Sequence, residues 1–277
     1  MPDPKEIPHL LKLLDDESAS VQKAVAKELA AFGSSLKEEL DRLSEPLNSN
    51  QKEKIKGLLE EYNRDLLKEA WPSWFDIEYD KEKLETALAL LAQFQNGPSY
   101  PVHLKSLLDK LADEYRKSTG ESDPFKLADF LFKAKHLQGN QTDYYNPANS
   151  NLVYVIQERQ GIPISLACVY ILVGARLGLN IEGCNFPGHF LAKIDVEGTF
   201  LWVDCFNGGQ FFDEQTILNG TQESPQVIQQ ILSMPTNAEL IIARVLTNLI
   251  HAYDQLQDEE NRDLMIGLLK ALESGSS

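Results

Sequence analysis

The chain has 277 residues, of which 43% are hydrophobic and 25% are charged, a composition typical of a globular protein. Its 26 basic and 42 acidic residues give a formal net charge of −16, which disfavours nucleic acid and membrane surfaces as partners. Three cysteines are too few for a disulfide framework. No apolar run reaches the ~20 residues of a membrane span. The start shows no secretory signal, so we expect a cytoplasmic protein.

The first part of the chain has the apolar spacing of helices. Residues 8–32 contain two helical patterns, separated by the acidic stretch 15–17, and Gly33 is the predicted stop. This arrangement resembles a single HEAT-type unit, and equally any helical hairpin. One such unit cannot bury its own apolar face, so we expect it to pack on the next helices of the chain. Further helical stripes continue to residue 134.

The second half of the chain changes character. Residues 149–160 predict a short helix capped by Asn149 or Ser150. Pro163 suits the first position of the next helix, which is apolar nearly all round and should be buried on most sides. Four strand-like segments with glycine-containing turns come next, at residues 181–186, 189–196, 200–204 and 210–212. A buried helix on an antiparallel sheet makes the predicted fold class α+β.

Three positions in this half follow the order of a papain-like cysteine site. Such a site needs a thiolate at the start of a buried helix, an imidazole on a strand, and an Asp or Asn on the next strand. Here a helix begins at Pro163, His189 opens a predicted strand, and Asp204 ends the next one. We therefore predict that His189 and Asp204 lie side by side and form a hydrogen bond, with heavy atoms ~2.6–3.2 Å apart.

Four ordered segments, at residues 144–152, 161–167, 187–191 and 204–209, resemble the signature of the SirB-type proteins, a bacterial family of the transglutaminase-like superfamily. The resemblance implies a papain-like core, which we assign to residues 71–236. Helical hairpins would then occupy residues 1–70. Residues 237–277 would form a C-terminal hairpin similar to half of a tetratricopeptide-like extension.

The resemblance also implies that a nucleophile is missing. Active transglutaminase-like enzymes begin this helix with Gly-x-Cys-x-x-x-Ala; Gly161 and Ala167 match, but Pro163 stands at the cysteine position, as in the SirB-type family. Proline has no group that attacks an acyl carbon. Four residues are conceivable substitutes, of which Cys184 is the least unsuited; they are Ser165, Cys168, Cys184 and Cys205.

The leading hypothesis is a non-catalytic transglutaminase-like protein, a binding or scaffold module for an unknown peptide or protein partner. His189 and Asp204 would line its site as a vestigial dyad. The further candidate binding residues are Asn149, Ser165, Cys184 and Asn207. One alternative is a papain-like hydrolase or acyl transferase with a nontraditional nucleophile or an activated water. Another is a helical interaction subunit with a vestigial site. No paired Cys or His spacing suggests a metal, and we expect no cofactor.

Overall fold

Along the chain, helices come both before and after one antiparallel sheet. The computed structural model describes residues 2–43, 45–221 and 223–275. This arrangement confirms the α+β class. The helices before the sheet are α1 (Ile7–Lys12), α2 (Ala19–Ala30), α3 (Leu36–Asp41), α4 (Ser49–Ala70), α5 (Asp80–Asn96), α6 (Leu104–Thr119), α7 (Pro124–Ala128), α8 (Leu152–Glu158) and α9 (Pro163–Arg176). Those after it are α10 (Glu214–Asn219), α11 (Pro225–Ser233), α12 (Ala238–Gln255) and α13 (Glu259–Gly275).

The chain divides into two compact units, and the first comprises Met1–Pro72 with Gln93–Pro101. In it α2 packs against α1 and α4. The apolar stripes of these helices form one core cluster, in which Leu29 is fully buried and Ile55 nearly so. Asn48 and Gln51 cap the start of α4 reciprocally, which satisfies two N–H groups that the helix leaves free. The predicted hairpin at residues 8–32 is confirmed as α1 and α2.

The second unit, Ser73–Ala92 with Val102–Ser277, is built around α9. Every residue of α9 from Pro163 to Gly174 is buried. The helix packs against the sheet on one side and against α6 and α8 on others. An all-apolar helix gains most from this enclosure, so the observed burial confirms the prediction from its sequence pattern.

Two short strands, β1 (Gln138–Gly139) and β2 (Gln160–Gly161), pair in parallel before the sheet. The sheet comes after α9, and its strands are β3 (Ile181–Cys184), β4 (Leu191–Val196), β5 (Thr199–Asp204) and β6 (Gln210–Phe212). Their order in the sheet is β3-β4-β5-β6, with every neighbouring pair antiparallel. Ala192 pairs with Val203, which brings the start of β4 beside the end of β5.

Two predicted boundaries near the site are wrong. His189 does not lie on a strand, because Pro187 and Gly188 turn the chain and the N–H of His189 donates to the carbonyl of Phe186 (3.1 Å) before β4 begins. The cap of α8 is Asn151, whose side chain accepts from two backbone N–H groups, and not Asn149 or Ser150. Pro147 starts a 3-10 turn that occupies residues 147–150, so the helix begins later than predicted.

The last two helices, α12 and α13, form an antiparallel pair that packs through α12 on α9. A β carbon at Gly183 of β3 would lie 3.2 Å from the Ile241 side chain of α12, so this hairpin covers part of the core. Among the helices within the described ranges, none is both long enough and apolar enough to cross a lipid bilayer.

Candidate functional site

His189 and Asp204 meet at the edge of the sheet, near the start of β4 and the end of β5. Nε2 of His189 lies 2.9 Å from Oδ1 of Asp204, a distance within the predicted range. The geometry at Nε2 is not that of a hydrogen bond, so the two groups form a close polar contact and the predicted hydrogen bond is not formed. The His189 side chain is 24% exposed and the Asp204 side chain is 10% exposed. The imidazole is therefore the part of the pair that a ligand can reach.

Asp204 is held in place by the turn that comes after it. Its Oδ1 accepts hydrogen bonds from the N–H groups of Phe206 and Asn207, both at 3.1 Å. Its Oδ2 accepts from the side-chain amide of Asn207 at 2.8 Å. Burial alone would raise the pKa of Asp204, but the contact with His189 and the Asn207 hydrogen bonds outweigh it and lower the pKa below its ordinary value. The candidate binding residue Asn207 thus orients the carboxylate.

The start of α9 presents no nucleophile. Pro163 is its first residue and is buried. The hydroxyl of Ser165 accepts from the N–H of Ile162 and donates to the carbonyl of Ile162, both at 3.0 Å. Because both of these bonds lie within the helix start, Ser165 caps α9, and its assignment as a binding residue is not supported by its contacts.

The three thiols are all free and buried. Burial raises the pKa of Cys168 to about 12 and that of Cys184 to about 11, and it raises the pKa of Cys205 well above the ordinary thiol value. Cys184 packs in an apolar cluster with Leu191 and Trp202. A buried thiol with a raised pKa is a poor nucleophile. Cys184 therefore packs as a core residue, and its role as a binding residue stays a prediction.

The Asn149 side chain forms hydrogen bonds within its own loop. It is fully buried, and its amide donates to the backbone carbonyls of Asp143 (2.6 Å) and Tyr144 (3.1 Å). Its oxygen accepts from the amide of Asn140 at 3.1 Å. These bonds use its side chain to shape the loop of residues 140–149. Asn149 thus has a structural role, and its role as a binding residue stays a prediction.

An aromatic ring contacts His189 and is followed by two more, and sequence reasoning missed all three as site residues. The Phe206 ring stands perpendicular to the imidazole with centroids 6.2 Å apart, and the Tyr144 centroid lies 6.2 Å from that of Phe206. Tyr145 contacts Tyr144 edge to face at 5.4 Å. The two tyrosines are 39% and 57% exposed. Both tyrosines and Phe206 lie in the segments that carry the family resemblance, and this is the sequence signal that could have identified them.

A cation lies near the same surface. Arg244 of α12 is half-buried, and its guanidinium donates to Oδ1 of Asn185 at 3.3 Å. Burial raises the pKa of Tyr144, and the positive charge of Arg244 opposes this shift. The guanidinium therefore influences the tyrosine, although Arg244 is a hundred positions further along the chain, where no local pattern marks it.

The described residues around His189 offer no cluster of metal ligands. Among the side chains that the structure describes, no group of three or more His, Cys, Asp or Glu residues has the arrangement to hold a metal ion. The chemistry of the site thus rests on one imidazole, one carboxylate, the neighbouring aromatic rings and Arg244.

Comparison with known proteins gives this geometry its family. Residues 102–247, more than half of the chain, match the transglutaminase-like superfamily. The chain therefore belongs to the transglutaminase-like superfamily. A UPF0162 protein of Xylella fastidiosa is 34% identical over 197 residues, which cover 66% of this chain and 70% of that relative. F-box only protein 21 of Mus musculus is 30% identical over 129 residues, 43% of this chain and 20% of that protein. No solved structure matches.

Proposed function

We propose that this protein is a non-catalytic member of the superfamily, which binds a peptide segment of a protein partner beside His189. The observation that carries the proposal is Pro163 at the first position of α9. A helix start is where a thiolate would be stabilised by the helix dipole, and proline supplies no thiol. The resemblance to SirB-type proteins supports the same interpretation. The cytoplasmic location stays a prediction.

The residues around His189 support binding rather than an idle remnant. Tyrosine side chains supply a large contact area at a low cost in conformational entropy, and Tyr144 and Tyr145 are both exposed. The imidazole of His189 is partly exposed and lies 2.9 Å from a carboxylate. A peptide offers backbone amides to the imidazole and apolar side chains to the rings. This combination of groups favours a peptide as the ligand.

The binding proposal is tested by selecting displayed peptides on the wild-type protein. We expect the selected peptides to lose at least about tenfold in affinity, ~1.4 kcal/mol, on His189→Ala and on Tyr144→Ala. Tyr79→Ala is the matched control, because Tyr79 is another exposed tyrosine and lies outside the site. Equal affinity for all three variants would mean that the peptides bind elsewhere and that the proposal is wrong.

A second candidate function is hydrolysis by a water that the pair activates, and the close His189–Asp204 contact favours it. A panel of glutamine-donor and peptide substrates, incubated with and without iodoacetamide, distinguishes the candidates. We expect no turnover in either condition. Turnover that survives alkylation and disappears in His189→Ala would establish the activated-water mechanism. Turnover that alkylation abolishes would assign a role to one of the three cysteines.

A further inference from the structure

A groove of about 680 Å³ opens in the N-terminal unit, far along the chain from the superfamily match at residues 102–247. Its walls come from α3, the segment before α4, and the first turns of α4. The side chains on its floor are aliphatic; they are Leu36, Leu40, Leu47, Ile55 and Leu59. Leu40, Leu47 and Leu59 remain partly exposed in the groove. Apolar side chains left open to water in one contiguous place are typical of an interaction site.

Lysines border this groove on both sides. Lys37 extends from α3, and Lys52 and Lys56 lie one turn apart on α4, while Asp41 is the acidic residue among the described lining residues. All three lysines are exposed. In the part of the chain that is described, neither Lys37 nor Lys52 forms an ion pair. Lys56 lies 3.7 Å from Glu60, an exposed pair of little strength.

The charge around the groove runs against the charge of the chain. The lining carries three positive charges and one negative, whereas the whole chain has a formal net charge of −16. A ligand that complements this groove therefore needs an apolar stripe for the floor and acidic groups on both flanks. An amphipathic helix with that pattern has its apolar residues at i, i+3, i+4 and i+7.

We infer that the groove is a docking site for an acidic amphipathic helix of a protein partner. The aliphatic stripe of that helix fills the floor, and its Asp and Glu side chains face Lys37, Lys52 and Lys56. The stretch of α4 from Lys52 to Leu59 is about 10 Å long, which matches about two turns of a partner helix. This site is separate from the peptide surface at His189 and does not depend on it.

The test is a displayed library of helical peptides about 14 residues long, with leucines fixed at the four stripe positions. The flanking positions are drawn from Glu, Gln and Lys. We expect selection on the full chain to enrich Glu. The enriched peptide should bind at least about tenfold more weakly to Lys52→Glu/Lys56→Glu, and its affinity should fall as salt is raised. Lys12→Glu/Lys27→Glu is the matched control, because both lysines are exposed and lie outside the groove lining.

Leu40→Asp gives a second test, since it places a negative charge on the floor itself. The peptide should lose binding to this variant while circular dichroism stays native. Enrichment of Gln or Lys flanks, or unchanged affinity for Lys52→Glu/Lys56→Glu, would overturn the inference. Dodecanoate probes the other occupant. If it binds this groove and no helical peptide is enriched, the ligand is a small anionic amphiphile and not a partner helix.

Discussion

At the scale of single residues, the proposed function rests on Pro163, His189 and Asp204. The imidazole and the carboxylate of a papain-like site are present, 2.9 Å apart, and the turn after Asp204 orients the carboxylate with three hydrogen bonds. In the proposed function, Pro163 at the first position of α9 stands where a papain-like site would carry its thiol. Changes at Pro163 and Asp204 therefore test the proposal most directly.

Pro163→Cys is expected to produce a thiol with a pKa below the ordinary ~8.5. The dipole of α9 favours the thiolate, and in the proposed site the His189 imidazole does so as well, although the burial of Pro163 opposes the shift. The pH dependence of iodoacetamide labelling, followed by mass spectrometry, measures this pKa. Ser233→Cys is the control, because Ser233 is exposed at the opposite, C-terminal end of a helix. A Pro163→Cys thiol that reacts no faster than this control would show that the imidazole does not serve the helix start.

The pKa of Asp204 predicts how stability depends on pH. Because its folded pKa lies below the ordinary value of 3.8, ionised Asp204 stabilises the fold above that pH. This stability is lost as the pH falls through the folded pKa. Asp204→Asn should therefore lower the free energy of unfolding by roughly 1–3 kcal/mol at neutral pH and by less in acid. Urea unfolding from about pH 7 to about pH 2 measures the difference, because the loss falls below the unfolded pKa.

Asn207→Ala is the graded companion of that variant. It removes the side-chain amide at 2.8 Å from Asp204 but keeps the backbone N–H donor. We expect a smaller loss with the same pH dependence. A difference between wild type and Asp204→Asn that stays constant with pH would contradict the assigned pKa shift.

At the scale of elements, the site depends on the turn between β5 and β6. The N–H of Gly209 donates to the carbonyl of Asp204 at 2.8 Å and closes the turn that presents Phe206 and Asn207. Gly208 and Gly209 both have positive φ, +80° and +72°. A β carbon at Gly209 would overlap the ring of Phe132, whereas one at Gly208 would meet no atom within 4 Å.

These adjacent glycines allow strain and overlap to be measured separately. Gly208→Ala should cost roughly 1–2 kcal/mol of unfolding free energy from its left-handed backbone alone. Gly209→Ala carries the same strain and should cost about 1–3 kcal/mol more, because the Phe132 ring must move. Chemical denaturation of both variants measures the two costs. Equal losses would show that the ring moves freely.

The elements are more predictable from sequence than the site. Apolar periodicity predicts α1, α2 and the buried α9, because a helix face that needs burial repeats along the chain. It does not predict that His189 precedes its strand, since that depends on the turn at Pro187. Asn149 and Cys184 are near the site in sequence, but their hydrogen bonds and packing come from tertiary structure. Arg244 reaches the site from a distant helix, which no local pattern shows.

At the scale of the whole molecule, the net charge of −16 opposes folding through repulsion between like charges. Exposed ion pairs contribute only about 0–1 kcal/mol each. Salt weakens both these pairs and the repulsion, and we expect the stability gained from weaker repulsion to exceed the stability lost from weaker pairs. We expect the melting temperature to rise as NaCl is raised from ~10 mM to ~300 mM, where the Debye length shortens severalfold. Differential scanning fluorimetry measures it. Sucrose at matched osmolarity is the control, and a melting temperature that falls with NaCl would contradict the expectation.

Because the three free thiols are buried, their labelling rates report how often the second unit opens locally. A thiol that water cannot reach reacts with a labelling reagent only during the moments when its surroundings separate, so its labelling rate measures the frequency of those moments. Cys184 is 2% exposed at the edge of an apolar cluster, whereas Cys168 lies fully enclosed in α9. Mass spectrometry of the labelled native protein should therefore detect modified Cys184 first and modified Cys168 much later. A peptide bound beside His189 should slow the labelling of any thiol that is exposed by the same local opening as the peptide site.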